Sequence, residues 1–485
     1  YHRGVLALFL AVLGHLAEAR AIGATPGAVA RGPAARELPG RGDALAREPR
    51  LVPGTIAREP LGRGETPARE PPIARGATAR ELLGRAWLCA ALGQPGEARR
   101  ALVDARAAYG EQHWEVGTTL FYELDLVVLP YETDRLAERR RLAEEAERAW
   151  TRASGALADF PPRFARLPLL LLEGRWAEAR DLALATLAAT RSHEAWRRYP
   201  GRYLGQLARA QGDTDLAWRL VREEFPTGPA TEPGATWFLP ALTMQRLAAA
   251  LALDADDPAT ARAWLATHDR WLAWSGSVLG QAEGQLGWAT YHRTRGDLDA
   301  ARRHATQALL RATEPRQPLA LLAAHRALGG IAVVAGNHAE AAAHLDTALA
   351  LAEACAAPYG RALTLLALAG LRRAQGERAA AEALLAEVRA LCEPLGAARA
   401  LARAEALAPR RLPAPAGGYP DELTAREAEV LALIASGVSN QEIAEALYLS
   451  VRTVERHINS LYRKIDARGR ADATSYAARH GFLPT

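Results

Sequence analysis

The 485 residues are 49% hydrophobic and 6% aromatic, material for roughly two to four cores built from Ala/Leu-rich helices. The net charge is only +5, and Cys89, Cys355 and Cys392 are odd in number and far apart, which excludes a disulfide framework and a zinc site and points to a reducing compartment. Lys464 is the only lysine, so this polypeptide has no G-x-x-x-x-G-K-S/T phosphate loop and no lysine nucleophile elsewhere.

At the start, Arg3, the apolar run Gly4 to Leu13 and Ala17-Glu18-Ala19 can be read as a secretory signal peptide. Gly14-His15-Leu16-Ala17-Glu18-Ala19 also carries a turn pattern that recurs further along, and a helical hairpin remnant over 1–22 is the better reading. Over 23–83 the triplet Ala-Arg-Glu recurs at Ala35, Ala46, Ala57, Ala68 and Ala79, an eleven-residue period filled with Gly, Pro and Arg. A proline in nearly every unit forbids a continuous helix, so this stretch is expected to be a disordered, low-complexity tandem segment.

Residues 84–405 repeat a different pattern, a glycine followed five positions later by alanine: Gly93 and Ala98, Gly174 and Ala179, Gly212 and Ala217, Gly296 and Ala301, Gly336 and Ala341, Gly376 and Ala381. Asp256 with Ala261 occupies one gap and a degenerate slot near Asp134 another, giving a spacing of about 40 residues. Glycine can end a helix with a left-handed cap, and a small alanine lets the next helix pack closely against the first. Such pairs bury their apolar faces only by stacking on neighbours. The turns resemble those of tetratricopeptide repeats, stretched from their usual length, and that resemblance implies a groove for a protein or small-molecule effector.

Nothing in this region calls for catalysis. The eleven tryptophans, all before residue 289, are expected to be packing residues. His292, His304, His325, His338 and His344 lack metal-ligand spacing, and no Ser-His-Asp or Cys-His signature has a supporting context. No enzyme activity, metal or cofactor is expected. Residues 406–420, including Pro409, Pro413, Pro415, Gly417 and Gly418, read as a proline-stiffened linker.

The last 65 or so residues, 421–485, carry the sharpest signal. Thr424-Ala425-Arg426-Glu427 and Ser439-Asn440-Gln441-Glu442 are capping boxes that start two helices. Ser450 caps a third, in which Val451, Val454, Ile458, Leu461 and Ile465 form an apolar stripe opposite Arg452, Glu455, Arg456, Asn459 and Arg463. A fourth helix runs from about Arg470 to His480. The spacing is that of a helix-turn-helix. Residues 421–449 hold one arginine against six acids, whereas 450–485 hold seven basic residues against three acids, which puts positive charge on the half that would face DNA.

This stretch resembles the LuxR/FixJ (GerE-type) DNA-binding domain of bacterial transcription regulators, through Leu423-Thr424, Arg426-Glu427, Glu429-Val430-Leu431, Gly437, Glu442-Ile443-Ala444, Thr453-Val454, His457 and Lys464-Ile465 among others. The resemblance implies that Glu455, Arg456 and Asn459 face the major groove and that residues around Ser439, Asn440, Arg452 and Lys464 meet phosphates, with Ser450, Thr453 and Arg463 in the same interface. It also implies a homodimer on DNA through the fourth helix around Ala473, Tyr476 and Ala477. Glu455, Asp466 and Gly469 depart from the residues usual in that family. With the repeat region, the chain resembles the C-terminal half of large ATP-binding LuxR regulators, whose nucleotide-binding region is expected to be lost here or to lie before Tyr1. The overall expectation is an all-α protein, a tetratricopeptide-like α-superhelix followed by a four-helix LuxR-type domain. It would be cytoplasmic, without a membrane partner, and would bind double-stranded promoter DNA. The alternative is a protein-interaction scaffold without specific DNA binding.

Overall fold

The computed structural model describes residues 72–485 apart from 111–112, 154–160, 190–193, 409–418, 448–450, 481 and 483–485. The hairpin remnant expected over 1–22, most of the eleven-residue repeats and most of the linker therefore lie outside the described residues.

Among the described residues the chain is helical throughout, without strands. The helices are α1 (Pro72–Ala91), α2 (Pro95–Tyr109), α3 (Glu115–Tyr122), α4 (Leu136–Arg152), α5 (Leu167–Leu172), α6 (Trp176–Ala189), α7 (Glu194–Gln211), α8 (Thr214–Glu224) and α9 (Phe238–Asp254). There follow α10 (Pro258–Ser275), α11 (Gln281–Thr294), α12 (Leu298–Thr313), α13 (Pro318–Val334), α14 (His338–Ala354), α15 (Pro358–Ala374), α16 (Arg378–Cys392) and α17 (Ala398–Leu407). The C-terminal module holds α18 (Ala425–Ala435), α19 (Asn440–Leu447), α20 (Val451–Lys464) and α21 (Arg470–Arg479).

Helix α1 starts inside the stretch expected to be disordered. Pro72 stands at its first position, where a missing N–H costs nothing, and no proline follows until Pro95. Ala79, Leu83, Ala86 and Trp87 then fall on one helical face and are buried, so the last Ala-Arg-Glu unit has an apolar stripe that holds it in a helix.

The repeat turns follow the pattern of the sequence. Gly93, Gly174, Gly212, Gly296, Gly336 and Gly376 all have φ between 76° and 86°, the left-handed region. At Gly296 the turn is a Schellman motif: Asp297 N–H donates to His292 O at 3.0 Å and Gly296 N–H to Arg293 O at 3.1 Å. The next residue can at once cap the following helix, as Asp213 does for Leu216 N–H and Asp297 for Ala300 N–H. The paired alanines Ala98, Ala179, Ala217, Ala301, Ala341 and Ala381 are all buried.

The degenerate slot resolves differently. Five positions after Asp134 stands Arg139, fully buried where the other turns have alanine. Its guanidinium donates to Thr133 O at 3.0 Å, to Cys355 O at 2.8 Å and to Glu173 Oε1 at 3.2 Å, which offsets the burial of its charge, while its Nε is buried without a partner.

The described chain groups into two compact units, one drawn from Tyr1–Ile331 and Asp346–Arg361, the other from Ala332–Leu345 and Ala362–Thr485. The aromatic residues of the first unit pack mainly on one another, Phe121 against Phe164, Tyr199 and Trp150, and Phe225 against Trp264 and Trp271. The second unit contains the core of the C-terminal module, in which Val430, Leu431 and Ile434 of α18, Ile443 of α19, Val454 and Leu461 of α20 and Ala473 and Ala477 of α21 come together. No described helix is long and apolar enough to cross a membrane.

Candidate nucleic-acid interface

Both capping boxes form. Thr424 Oγ1 accepts from Glu427 N–H at 3.3 Å while the Glu427 carboxylate accepts from Thr424 N–H at 2.8 Å. Ser439 and Glu442 make the same reciprocal pair at 3.2 and 2.6 Å. Each box satisfies two of the donors that a helix N-terminus leaves open, and each places a carboxylate where the helix dipole favours it.

Helix α20 is pinned from beneath and open above. Val454, Ile458 and Leu461 are buried, with Ile465 packed against the same cluster. Val451, expected in the stripe, is 41% exposed, because at the first helical position the stripe has run past the core. The opposite face presents Arg452, Glu455, Arg456, Asn459 and Arg463, all exposed. Among the described residues, none of these five makes a hydrogen bond or salt bridge within the protein. Their spacing of three and four residues lays the side chains along one line of the helix, so they are available together to a partner that follows that line.

Two expected phosphate contacts are engaged inside the module. Lys464 Nζ donates to Glu427 Oε2 at 2.8 Å and to Glu422 O at 2.9 Å, tying the end of α20 to the start of α18. Burial alone would push the Glu427 carboxyl up, but Lys464, Ser460 and Thr424 outweigh it and hold the group at about 2. Asn440 Oδ1 accepts from Arg470 Nη1 at 3.2 Å, and the same guanidinium also bonds Val438 O. Ser439 is exposed, Thr453 half-buried, and Ser450 lies outside the described residues. His457 is half-buried, and burial, with Arg456 and Arg426 nearby, pulls its pKa down, which favours the neutral ring.

The surface expected for dimerisation is not a surface. Ala473, Tyr476 and Ala477 are all buried, since they form the face of α21 that packs on the other helices. The Tyr476 hydroxyl donates to Asp421 Oδ2 at 2.6 Å. The outward face of α21 carries Ala471, Asp472, Ser475, Ala478 and Arg479 instead.

Three polar anchors were not foreseen from the pattern: Lys464 on Glu427, Arg470 on Val438 and Asn440, and Arg426 Nη2 on Leu447 O at 2.8 Å. The signal for the first was present in Glu427, a capping carboxylate with acceptor capacity to spare and a single lysine in the whole chain to meet it.

Residues 421–477 match the family of bacterial regulatory proteins, luxR family. The C-terminal module is a LuxR-type helix-turn-helix domain. Among curated relatives, the response regulator protein VraR of Staphylococcus aureus is 43% identical over 61 residues, and so is VraR of Staphylococcus epidermidis. These alignments cover 13% of this chain and 29% of each relative, so the chain spans less than a third of the length of the curated proteins it matches. Solved structures that align with this chain include a Rap protein complexed with competence and sporulation factor, with 12% identity, 70% of this chain and 98% of that chain covered and a TM-score of 0.46. A signal transduction ATPase with a tetratricopeptide repeat sensor from Pyrococcus horikoshii aligns at 10% identity over 78% of this chain and 54% of that one, with a TM-score of 0.40. The family match supports DNA binding by the LuxR-type domain.

Proposed function

We propose that the protein is a bacterial transcription regulator in which the LuxR-type domain reads promoter DNA and the helical repeat region senses an effector or recruits a partner. The observation that carries this reading is the exposed line Arg452, Glu455, Arg456, Asn459 and Arg463 on a helix whose other face is fixed in a core. Arg456 and Asn459 suit base edges, since arginine pairs with guanine and asparagine with adenine, while Glu455 suits a cytosine amino group. Arg452 and Arg463 at the two ends suit phosphates, and Ser439 and Thr453 add neutral donors. Lys464 and Asn440 serve this interface indirectly, by holding the helices in place. In this reading the protein works in the cytoplasm as a homodimer on a two-fold related site, with the outward face of α21 as the contact between copies.

The test is fluorescence anisotropy of the full chain against DNA upstream of its own gene, with random competitor and a salt series. Specific binding is expected to be tighter than random binding by about a thousandfold or more. Equal affinity for both DNAs would sink the reading and favour a scaffold that binds proteins alone.

A further inference from the structure

The first unit contains a cleft that the LuxR-type domain does not use. It lies among the π-helical turn Glu123–Val128, α7, α9, the start of α11 and the start of α13, and holds about 220 Å³. This lies below the roughly 300–1,000 Å³ of drug-sized pockets, so an occupant must be small. The π turn arises where Leu129 N–H reaches back five residues to Leu124 O, and such widened turns inside helices are frequent at functional sites. Here the turn carries Asp125 and Leu126 into the cleft wall.

The polar wall has two parts. One is paired internally: Asp125 Oδ1 accepts from Arg202 Nη2 at 2.5 Å and from the Tyr203 hydroxyl at 2.7 Å, and the Arg202 guanidinium lies over the rings of Tyr199 and Tyr203, although its Nε is buried without a hydrogen-bond partner. The other part is left open. Arg246 donates to His268 Nε2 at 3.0 Å and to Thr243 Oγ1 at 3.3 Å, but among the described residues no carboxylate forms a salt bridge with it. Because a guanidinium only donates, His268 Nε2 is the acceptor and the ring proton sits on Nδ1. Burial, with Arg246 beside it, pulls the His268 pKa down, so the imidazole contributes no charge of its own.

Glu283, in the first turn of α11, has its Oε2 buried without a hydrogen-bond partner. A buried carboxylate oxygen in that state costs free energy until a donor meets it. Just before α11, Gly280 has φ 96°, and a Cβ there would come within 2.9 Å of Leu242 and 3.4 Å of Arg246 Nη1. Glycine thus lets the chain pass close to the Arg246 fork without covering it. Leu239, Leu242, Leu279 and Leu319 supply an apolar lining.

We propose that this cleft binds a small zwitterion with an apolar body, an amino acid or dipeptide whose carboxylate is held by Arg246 and whose ammonium group is held by Glu283. The proposal deepens the reading of the repeat region as a sensor and rests on it. Arg246 offers planar, paired donors that fit a carboxylate, and Glu283 offers the acceptor that an ammonium group needs. The leucines take the aliphatic part.

The test is isothermal titration calorimetry of the full chain with L-leucine and L-leucyl-L-leucine, each compared with its N-acetyl and its C-terminal amide derivative. One of the two zwitterions is expected to bind, the size preference telling amino acid from dipeptide, and each capped form to bind about tenfold weaker or less tightly still. Glu283→Gln should remove the penalty for N-acetylation and keep the penalty for the amide. Arg246→Gln should do the reverse, so each variant reports its own integrity through the discrimination it retains. Capped and uncapped ligands binding alike, or neither zwitterion binding at about 10 mM, would overturn the site. Anisotropy on DNA with and without the bound zwitterion separates the two proposals. Specific DNA binding with no zwitterion binding removes this site alone. Zwitterion binding that leaves DNA affinity untouched upholds the site and removes the sensor coupling.

Discussion

The repeat hairpins and the LuxR-type domain share left-handed turns but fix their helices against one another by different means. In the hairpins the turn is a property of the backbone: a glycine with positive φ and, five residues on, an alanine that lets two helices touch. The same solution returns at Gly93, Gly174, Gly212, Gly296, Gly336 and Gly376. In the C-terminal domain Gly437 (φ 82°) and Asp466 (φ 52°) also make left-handed turns, but the helices are tied further by side chains that occur once each, Glu427 with Lys464, Arg470 with Val438 and Asn440, Arg426 with Leu447. A repeated unit can rest on backbone geometry because neighbouring copies supply the rest of its core. A small single-copy domain buries little area and relies on specific pairs to fix the angle at which its recognition helix is presented.

The exception within the repeats gives the largest predicted effect. Arg139→Ala would restore the alanine found at the other turns, and the turn pattern alone predicts no loss. The packed structure predicts the opposite, because Glu173 and the carbonyls of Thr133 and Cys355 lose a buried donor and a cavity opens. Denaturant unfolding should register a cost of about 3–5 kcal/mol. A neutral result would mean that the backbone pattern is sufficient at this hairpin too.

Glu427→Gln tests the side-chain joint of the C-terminal domain. A carboxyl held at about 2 in the folded protein, against an ordinary 4.5, contributes stability that is fully present above pH 4.5 and is lost as the pH falls toward 2. The contribution is on the order of 2–3 kcal/mol. Acid titration of unfolding should show this loss in the wild-type chain and a flatter profile in the variant. Lys464→Ala should reproduce most of the loss.

On the open face of α20, Arg456→Ala should weaken specific DNA binding by about 1–3 kcal/mol and relax the preference at one base pair, whereas Arg463→Ala should weaken binding to all sequences alike. Competition anisotropy separates the two, and equal losses on specific and random DNA for Arg456→Ala would remove that residue from base reading.

The smallest effect lies at the turn after α20. Asp466 has φ 52°, a left-handed conformation in which a side chain is strained, and Ala467 N–H closes the turn on Tyr462 O at 2.9 Å. This is the backbone device of the repeats, made here without glycine. Asp466→Gly should stabilise the domain by about 0.5–1 kcal/mol in thermal unfolding, the relief of strain exceeding the added freedom of the unfolded chain.

Much of the fold was legible because it depends on local periodicity. The glycine-to-alanine spacing located the repeat turns, and the two capping boxes with the stripe Val454, Ile458 and Leu461 located the helices of the C-terminal domain. The outer residues of α20 followed from the same helical period. The stripe misled at Val451 and the carried-over surface misled at Ala473, Tyr476 and Ala477, because periodicity says which residues share a face and not how far the neighbouring helices extend over it. Helix α1 was missed because proline density in the preceding units masked the apolar residues that follow Pro72.

The order of helices, the turn chemistry and the polar face of α20 were therefore set by neighbours in the chain, through dihedral preferences and side-chain periods that act over a few residues. The partners of Arg139, the bond between Glu427 and Lys464 and the open pair of charges at Arg246 and Glu283 were decided by residues tens to hundreds of positions apart. A long charged side chain can reach several partners, and only the packed helices select which of them lies within hydrogen-bond distance once water is excluded.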